Sequence, residues 1–347
     1  MKVAPVYHAL RQEDWCQVKL VHTGQHYDAN MSDAFMQDLG LPNPDFHLGI
    51  GSGSHAEQTA GVMLAYERVC IQDKPDWVIV VGDVNSTMAC AITAKKLYLR
   101  VAHLEAGLRS HDWNMPEEIN RVVTDSVSDL LWTPSPDADE NLRREGVAQE
   151  KIVRVGNIMI DSYEMLHEKI DASQPDLGFS LPPSYGIVTM HRPSNVDDAH
   201  SLSSIVSVLS QIARDLPLVF PVHPRTRERL QRFNLLDNFS QSKGVYLTQP
   251  LSYIAFMHLV QRAKLVITDS GGIQEETTYL NIPCMTMREN TERPITIIQG
   301  SNRLVSIETL PAQVNKVMRG EWTSGVRPEL WDGHTAGRVV NSLKHIH

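Results

Sequence analysis

The chain of 347 residues is too long for one ordinary hydrophobic core and suits two domains of about 150–180 residues each. Its apolar content of 42% and charged content of 21% describe a globular protein, and no long apolar span or basic-then-apolar leader supports membrane insertion or secretion. A formal charge of −9 disfavours nonspecific nucleic-acid binding, so an anionic ligand needs a local cluster of basic groups and helix starts. Cys16, Cys70, Cys90 and Cys284 are isolated and form no CxxC pair, which argues against structural zinc and for free thiols in a reducing compartment.

The chain opens with Met1-Lys2-Val3-Ala4-Pro5-Val6, and a helical pattern runs to about residue 12. A doubly wound domain usually places a buried strand before such a helix, and none is encoded here. Either the topology begins with a helix, or the sequence begins after the first strand and its phosphate-facing loop. Apolar runs of strand length follow at 17–22, 77–81, 101–104, 130–133 and 152–155, with helical spacing at 58–71 and 87–98. A polar, proline-bearing stretch at 172–184 marks the expected boundary between an N-terminal domain, 1–172, and a C-terminal domain, 173–347, whose final helix could cross back to the first. Beyond it lie strand candidates at 185–189, 218–222, 245–247, 265–268, 283–285 and 302–304. Apolar runs alternating with helices predict parallel α/β architecture.

Polar residues recur just past the expected strand ends, where open α/β sheets bind ligands. Asp83 follows Val78-Ile79-Val80-Val81-Gly82, and Glu105 follows Val101-Ala102-His103-Leu104, with Gly107 permitting a tight loop. Glu117 and Glu118 follow Pro116 at a helix start, where acidic residues also serve a helix dipole. Three separated carboxylates meeting at one site would form an acid–base apparatus. His191-Arg192 ends another strand and suits phosphate recognition or leaving-group stabilisation. His223-Pro224-Arg225 ends the next, although Arg225, Arg227, Glu228 and Arg229 also fit a solvated helix face.

The most informative segment is Asp269-Ser270-Gly271-Gly272-Ile273-Gln274-Glu275-Glu276. A buried strand leading into Ser-Gly-Gly lets backbone approach a phosphate, and the helix start offers N–H groups to its charge. Glu276, one turn on, could meet a ribose. Arg293, in Thr291-Glu292-Arg293-Pro294, is a further diphosphate candidate. No zinc-helix spacing or calcium-loop pattern is present, so the reading is chemistry without a metal or other cofactor.

Taken together, these motifs closely resemble the non-hydrolysing UDP-N-acetylglucosamine 2-epimerase family. The landmarks are Lys2-Val3-Ala4-Pro5, Thr23-Gly24-Gln25-His26, Gly82-Asp83, His103-Leu104-Glu105-Ala106-Gly107-Leu108-Arg109 and Pro116-Glu117-Glu118-Ile119-Asn120-Arg121, continuing through the later motifs in family order. The resemblance implies a GT-B-like pair of Rossmann-type domains with a ligand cleft between them. It implies reversible inversion at C2 of a UDP-linked 2-acetamido sugar through loss and re-addition of UDP, with no nicotinamide. It further implies Asp83, Glu105 and Glu117 as acid–base groups, with His191 near the diphosphate. Ser270, Gly271 and Gly272 would hold phosphate oxygens, Glu276 would accept from ribose, and Lys2, Arg192 and Arg293 would face the substrate. A cytoplasmic homodimer serving cell-surface polysaccharide synthesis completes what the resemblance implies.

Two departures stand out. The family's first strand and its Gly-Thr-Arg-Pro-Glu loop are absent before Lys2, so the upstream reading frame is expected to encode them. Tyr27-Asp28 and Gly51-Ser52-Gly53-Ser54-His55 resemble a branch that includes epimerases of UDP-diacetamido-uronic acids. Besides that branch, a hydrolysing epimerase, a retaining GT-B glycosyltransferase and a noncatalytic UDP-sugar binder remain open from sequence.

Overall fold

In the computed structural model, which describes residues 1–24 and 36–346, the chain divides into two units, Met1–Met165 with Glu329–His347, and Leu166–Pro328. The expected motifs at Gln25-His26 and Tyr27-Asp28 lie outside the described residues. Among the described residues, no helix is long and apolar enough to cross a membrane.

The first unit begins with α1 (Val3–Arg11), followed by the short parallel pair β1 (Val21–His22) and β2 (Phe46–His47). Only the last two residues of the expected 17–22 strand pair, because β2 is itself two residues long and offers no longer ladder. Its main sheet contains β3 (Trp77–Val81), β4 (Arg100–Leu104), β5 (Leu130–Thr133) and β6 (Ile152–Arg154), parallel and in sequence order. α2 (His55–Gln72) precedes β3, and between the strands run α3 (Asn85–Lys96), α4 (Pro116–Val127) and α5 (Pro136–Arg144). Ser54 starts α2 with a capping box, its hydroxyl accepting from the Glu57 N–H while the Glu57 carboxylate accepts from Ser54. Pro116 and Pro136 open α4 and α5 at positions where no N–H is needed.

The final helix, Thr335–Lys344, packs Ala336, Val339, Val340 and Leu343 with Val6 and Leu10 of α1. The apolar stripe of that helix therefore carries 329–347 into the first unit, so the second ends at Pro328 and not at the C-terminus. The division at Met165–Leu166 falls inside α6 (Ile158–Ala172), earlier than the proline-bearing stretch, because an unbroken helix crosses the region.

The second unit is one parallel sheet in the order β12-β11-β10-β7-β8-β9. These strands are β7 (Gly186–Thr189), β8 (Leu218–Pro221), β9 (Val245–Thr248), β10 (Leu265–Thr268), β11 (Cys284–Thr286) and β12 (Asn302–Leu304). Val266 and Ile267 are fully buried, as expected for a central strand covered on both faces. The strand order reverses between β7 and β10, and such a switch point opens a crevice at the C-terminal strand ends. His191 and Asp269 follow those two strands. A core of Val188, Leu202, Leu209, Phe220, Ile267 and Met285 holds the sheet and its helices rigid beneath them.

Candidate functional site

In the first unit the strand ends carry a dense charge network. Glu105 is buried and has φ of +73°, a conformation that costs a side-chain-bearing residue about 1–3 kcal/mol. Its N–H and that of Ala106 both donate to the Trp132 carbonyl, at 3.1 and 3.0 Å, which holds the strained turn. Gly107 follows with φ of +81°, and a Cβ there would collide with the Ala138 carbonyl. The Lys2 ammonium, at the start of α1, meets the Glu105 carboxylate at 2.5 Å. Both lie against Gly82, since a Cβ built there would stand 3.5 Å from Glu105 Oε2 and 3.7 Å from Lys2 Nζ. That contact brings the turn bearing Asp83 to the Lys2–Glu105 pair.

Asp83 accepts from Arg121 Nη1 at 2.5 Å, while its backbone carbonyl accepts from the Asn120 amide at 2.9 Å. Arg121 is buried and also donates to Glu118 at 2.7 and 3.1 Å. Burial opposes ionisation of Glu118, but the Ser110 N–H, Arg121 and the His111 N–H hold its carboxyl below the usual range. Glu117, its neighbour, is exposed on the first turn of α4. A single position along the chain thus separates a carboxylate committed to the fold from one open to solvent. The sequence reading gave both the same dipole argument.

Beneath these groups, His103 is fully buried, with Nδ1 2.6 Å from Asp125 and Nε2 2.8 Å from the Gly82 carbonyl. Asp125 also accepts from the Gly107 N–H at 3.0 Å and from Arg109 at 2.7 Å. Burial works against the charge on Asp125, yet His103, Arg109 and Gly107 keep its carboxyl below the ordinary range. This cluster ties together the Gly82–Asp83 turn, the Glu105–Gly107 turn and helix α4. Sequence reasoning assigned none of His103, Asp125, Arg121 or Arg109 a role.

In the second unit, Asp269 is fully buried at the end of β10 and collects donors from the end of β7. It accepts from the Arg192 N–H at 2.9 Å, the His191 N–H at 3.0 Å, and the Asn195 amide at 3.0 Å. His191 Nδ1 lies 2.9 Å from the same carboxylate. Burial opposes the Asp269 charge, but His191, Arg192 and Asn195 hold its carboxyl below the usual value. His191 is thereby oriented with Nε2 away from Asp269, and Arg192 Nε is spent on the Asp269 carbonyl at 2.9 Å.

Ser270 caps the helix Gly271–Leu280 without a side-chain bond to it, so the first N–H groups have no intrahelical acceptor. A Cβ on Gly271 would stand 2.7 Å from Glu292 and 2.8 Å from Arg293, whereas one on Gly272 would meet nothing within 4 Å. Gly271 is therefore needed by packing, and Gly272 faces open space. Arg293 is buried and pairs with Glu275 at 3.0 Å and with Glu292, so its guanidinium braces this helix start. Glu276 accepts from the Tyr253 hydroxyl at 2.7 Å, a partner the sequence did not reveal. The charged run after His223 is mostly structural. Arg225 and Arg229 clamp Asp197, and Arg225, ahead of Arg229, draws that carboxyl down to about 2.

A cavity of about 230 Å³ opens in this unit beside Ser270 and His191, with His223, Pro250, Leu251 and Phe256 also in its wall. Polar His191, His223 and Ser270 share this wall with apolar Leu251, Phe256 and Ile273, a lining that suits a ligand with an anionic part and a flat apolar one.

The sequence profile of the UDP-N-acetylglucosamine 2-epimerase family matches residues 8–344. The UDP-N-acetylglucosamine 2-epimerase of Methanocaldococcus jannaschii is 43% identical, over 99% of this chain and 96% of its own. The chain belongs to this family. A crystal structure of the Methanocaldococcus jannaschii epimerase in complex with UDP-GlcNAc and UDP superposes with a TM-score of 0.90 at 40% identity, covering 99% of this chain and 96% of that one. The UDP-2,3-diacetamido-2,3-dideoxy-D-glucuronate 2-epimerase of Pseudomonas aeruginosa is 41% identical, over 88% of this chain and 84% of its own.

As a family member the chain is an isomerase with a GT-B-like α/β fold. Within this 2-epimerase family framework, the two charge arrangements differ in kind. In the first unit the strand-end carboxylates lie among side-chain cations, whereas Asp269 at the end of β10 in the second lies under a ring of N–H donors.

Proposed function

We propose that the protein interconverts UDP-GlcNAc and UDP-ManNAc by inverting C2 through elimination and re-addition of UDP. A base takes the C2 proton as the C1–O bond breaks, the electron pair leaving with UDP. The product pair is a 2-acetamidoglucal and UDP. A proton then reaches C2 from the opposite face, and the UDP oxygen closes back on C1. Asp83, Glu105 and Glu117 serve proton transfer on the sugar, as groups near each face of C2 must. Lys2 sets the charge at Glu105, to which it is paired.

UDP itself falls to residues of the second unit. Ser270, Gly271 and Gly272 receive phosphate oxygens at the helix start, and His191 stabilises the diphosphate as it leaves. Glu276 accepts from the ribose and Arg192 acts on the anion by charge, while Arg293, already matched to Glu275 and Glu292, serves the diphosphate through the helix start it braces. The observation that carries this reading is that His191, held by buried Asp269, and Ser270, at the start of the Gly271–Leu280 helix, lie on the wall of one cavity.

The reaction in deuterated water tests it. UDP-GlcNAc should yield UDP-ManNAc with deuterium at C2, read by proton NMR; epimerised product without it would refute the elimination route. The Pseudomonas aeruginosa relative makes UDP-2,3-diacetamido-2,3-dideoxy-glucuronate the control substrate, and turnover of that compound alone would move the sugar specificity while leaving the chemistry. We also read the protein as a cytoplasmic homodimer. Free, largely buried cysteines fit the reducing compartment. The dimer rests on family resemblance, and light scattering giving the mass of one chain would dismiss it.

A further inference from the structure

The roles proposed above leave His223 unused. It follows β8 and serves as N-cap of the helix Pro224–Arg232, where its Nδ1 accepts the Arg225 N–H at 3.2 Å. An accepting Nδ1 puts the ring proton on Nε2, at the opposite end of the imidazole. The ring lies 5.4 Å from that of His191, centroid to centroid, and both line the cavity beside Ser270. Partial burial and then the nearby His191 lower the His223 pKa, with Arg225 adding to them and Asp269 opposing. His223 therefore stands at the cavity as a neutral ring with one donor.

Capping does not account for a histidine here. Asn, Asp, Ser and Thr are the residues that helix starts favour, and they do the same work with a shorter side chain. What imidazole adds is a second, oppositely directed nitrogen. His191 and His223 are also held in contrasting ways: one presents Nδ1 to a carboxylate, the other presents Nδ1 to an N–H. Side by side, they offer two differently tuned donors to an anion.

We propose that His223 is a phosphate-recognition residue, donating its Nε2–H to a non-bridging oxygen of the UDP diphosphate next to His191. This rests on the reading that UDP occupies the cavity. A neutral donor strengthens binding to the diphosphate without placing another full charge beside Arg192, so UDP is held while the glucal waits and is still able to leave C1 and return.

The test separates cap from ligand contact. His223→Asn retains a capping oxygen but loses the distal N–H, and calorimetry would measure UDP and uridine binding to the full chain. The expected result is an unchanged melting temperature, UDP affinity lower by about tenfold, and unchanged uridine affinity. Unaltered UDP affinity, or equal losses for UDP and uridine, would overturn the proposal. Should Asn disturb the fold, labelled histidine NMR on the unmodified protein decides instead. The His223 Nε2 resonance is expected to move with UDP and not with uridine, and a resonance indifferent to UDP would overturn the proposal. Failure of the unmodified protein to bind UDP would sink both this inference and the functional reading. Normal binding with an unaffected variant sinks this inference alone.

Discussion

The carboxylates at the strand ends of the two units are held in opposite ways. In the first, carboxylates are matched with side-chain cations: Glu105 with Lys2, Asp83 and Glu118 with Arg121, Asp125 with Arg109 and His103. In the second, Asp269 is surrounded chiefly by backbone N–H groups, an amide and His191, and the helix start beside it keeps N–H groups for an incoming anion. Cations that surround a carboxylate fix its position for proton transfer. Dipoles at a helix start receive an anion that must come and go. The proposed division of roles, proton transfer in the first unit and ligand holding in the second, follows this difference.

The largest effect should come from removing charge without shape in the first unit. Asp83→Asn, Glu105→Gln and Glu117→Gln are each expected to lower kcat by about 10²–10⁴ while UDP affinity stays within a few-fold. NMR turnover and UDP calorimetry on the same preparations check this. If any amide variant loses UDP affinity as steeply as turnover, the division of labour between the units fails for that residue. Glu117 is the sharpest case, because it is exposed and its replacement disturbs no buried pair.

Next in size is the cluster under those carboxylates. Asp125→Ala strips buried His103 of its carboxylate and leaves Arg109 with Glu145 as its acidic partner, and breaking such a buried pair costs about 3–5 kcal/mol. Urea unfolding followed by tryptophan fluorescence should register it, since Trp15, Trp77, Trp113, Trp132 and Trp331 all lie in the first unit. The folded-state pKa of Asp125 is below its unfolded value of about 3.9, so its ionised form stabilises the fold above that pH and the contribution is lost as pH falls through the folded pKa. Asp125→Asn should flatten the acid limb of the stability curve. An unchanged acid limb would mean the cluster is not what holds the three turns in register.

How much of this could be read from the chain follows from the same contrast. The candidate residues Asp83, Glu105, His191 and Asp269 were legible because each ends an apolar run, and strand ends are where α/β sheets place ligands. Their supporting partners were not. Arg121 reaches Asp83 across 38 positions and Asp125 reaches His103 across 22, and neither pairing leaves a local pattern. The left-handed backbone of Glu105 was hidden as well, because a turn imposed by the Trp132 carbonyl leaves no mark on residue type. Strand positions in the second unit were read closely, since buried parallel strands announce themselves as continuous apolar runs. The short first pair depends on a partner strand well along the sequence.

Within the second unit, adjacent glycines separate packing from binding. Gly271→Ala must push Glu292 and Arg293 aside, and overpacking of this kind costs about 1–3 kcal/mol of stability. Gly272→Ala has room, so the fold should be indifferent and UDP affinity should fall as the methyl blocks phosphate approach. Thermal melts and UDP titrations of both variants would show the two effects on separate residues. Equal losses of stability would erase the distinction.

The smallest expected effect is at Tyr253. Its hydroxyl donates to Glu276 at 2.7 Å and so fixes the carboxylate one turn into the helix from Ser270. Tyr253→Phe removes a hydrogen bond of about 0.5–1.5 kcal/mol and leaves Glu276 present but less oriented. UDP affinity should fall between twofold and about tenfold, with kcat at saturating substrate unchanged, because the hydroxyl acts on a binding group and not on the sugar. Glu276→Gln should cost more, since it removes the acceptor's charge itself. Titrating uridine and UDP against both variants locates the effect: a ribose contact predicts parallel losses for the two ligands, whereas the phosphate contact proposed for His223 predicts a loss for UDP only. A Tyr253→Phe variant that lowers kcat while sparing affinity would place Glu276 with the catalytic carboxylates and redraw the line between the two units.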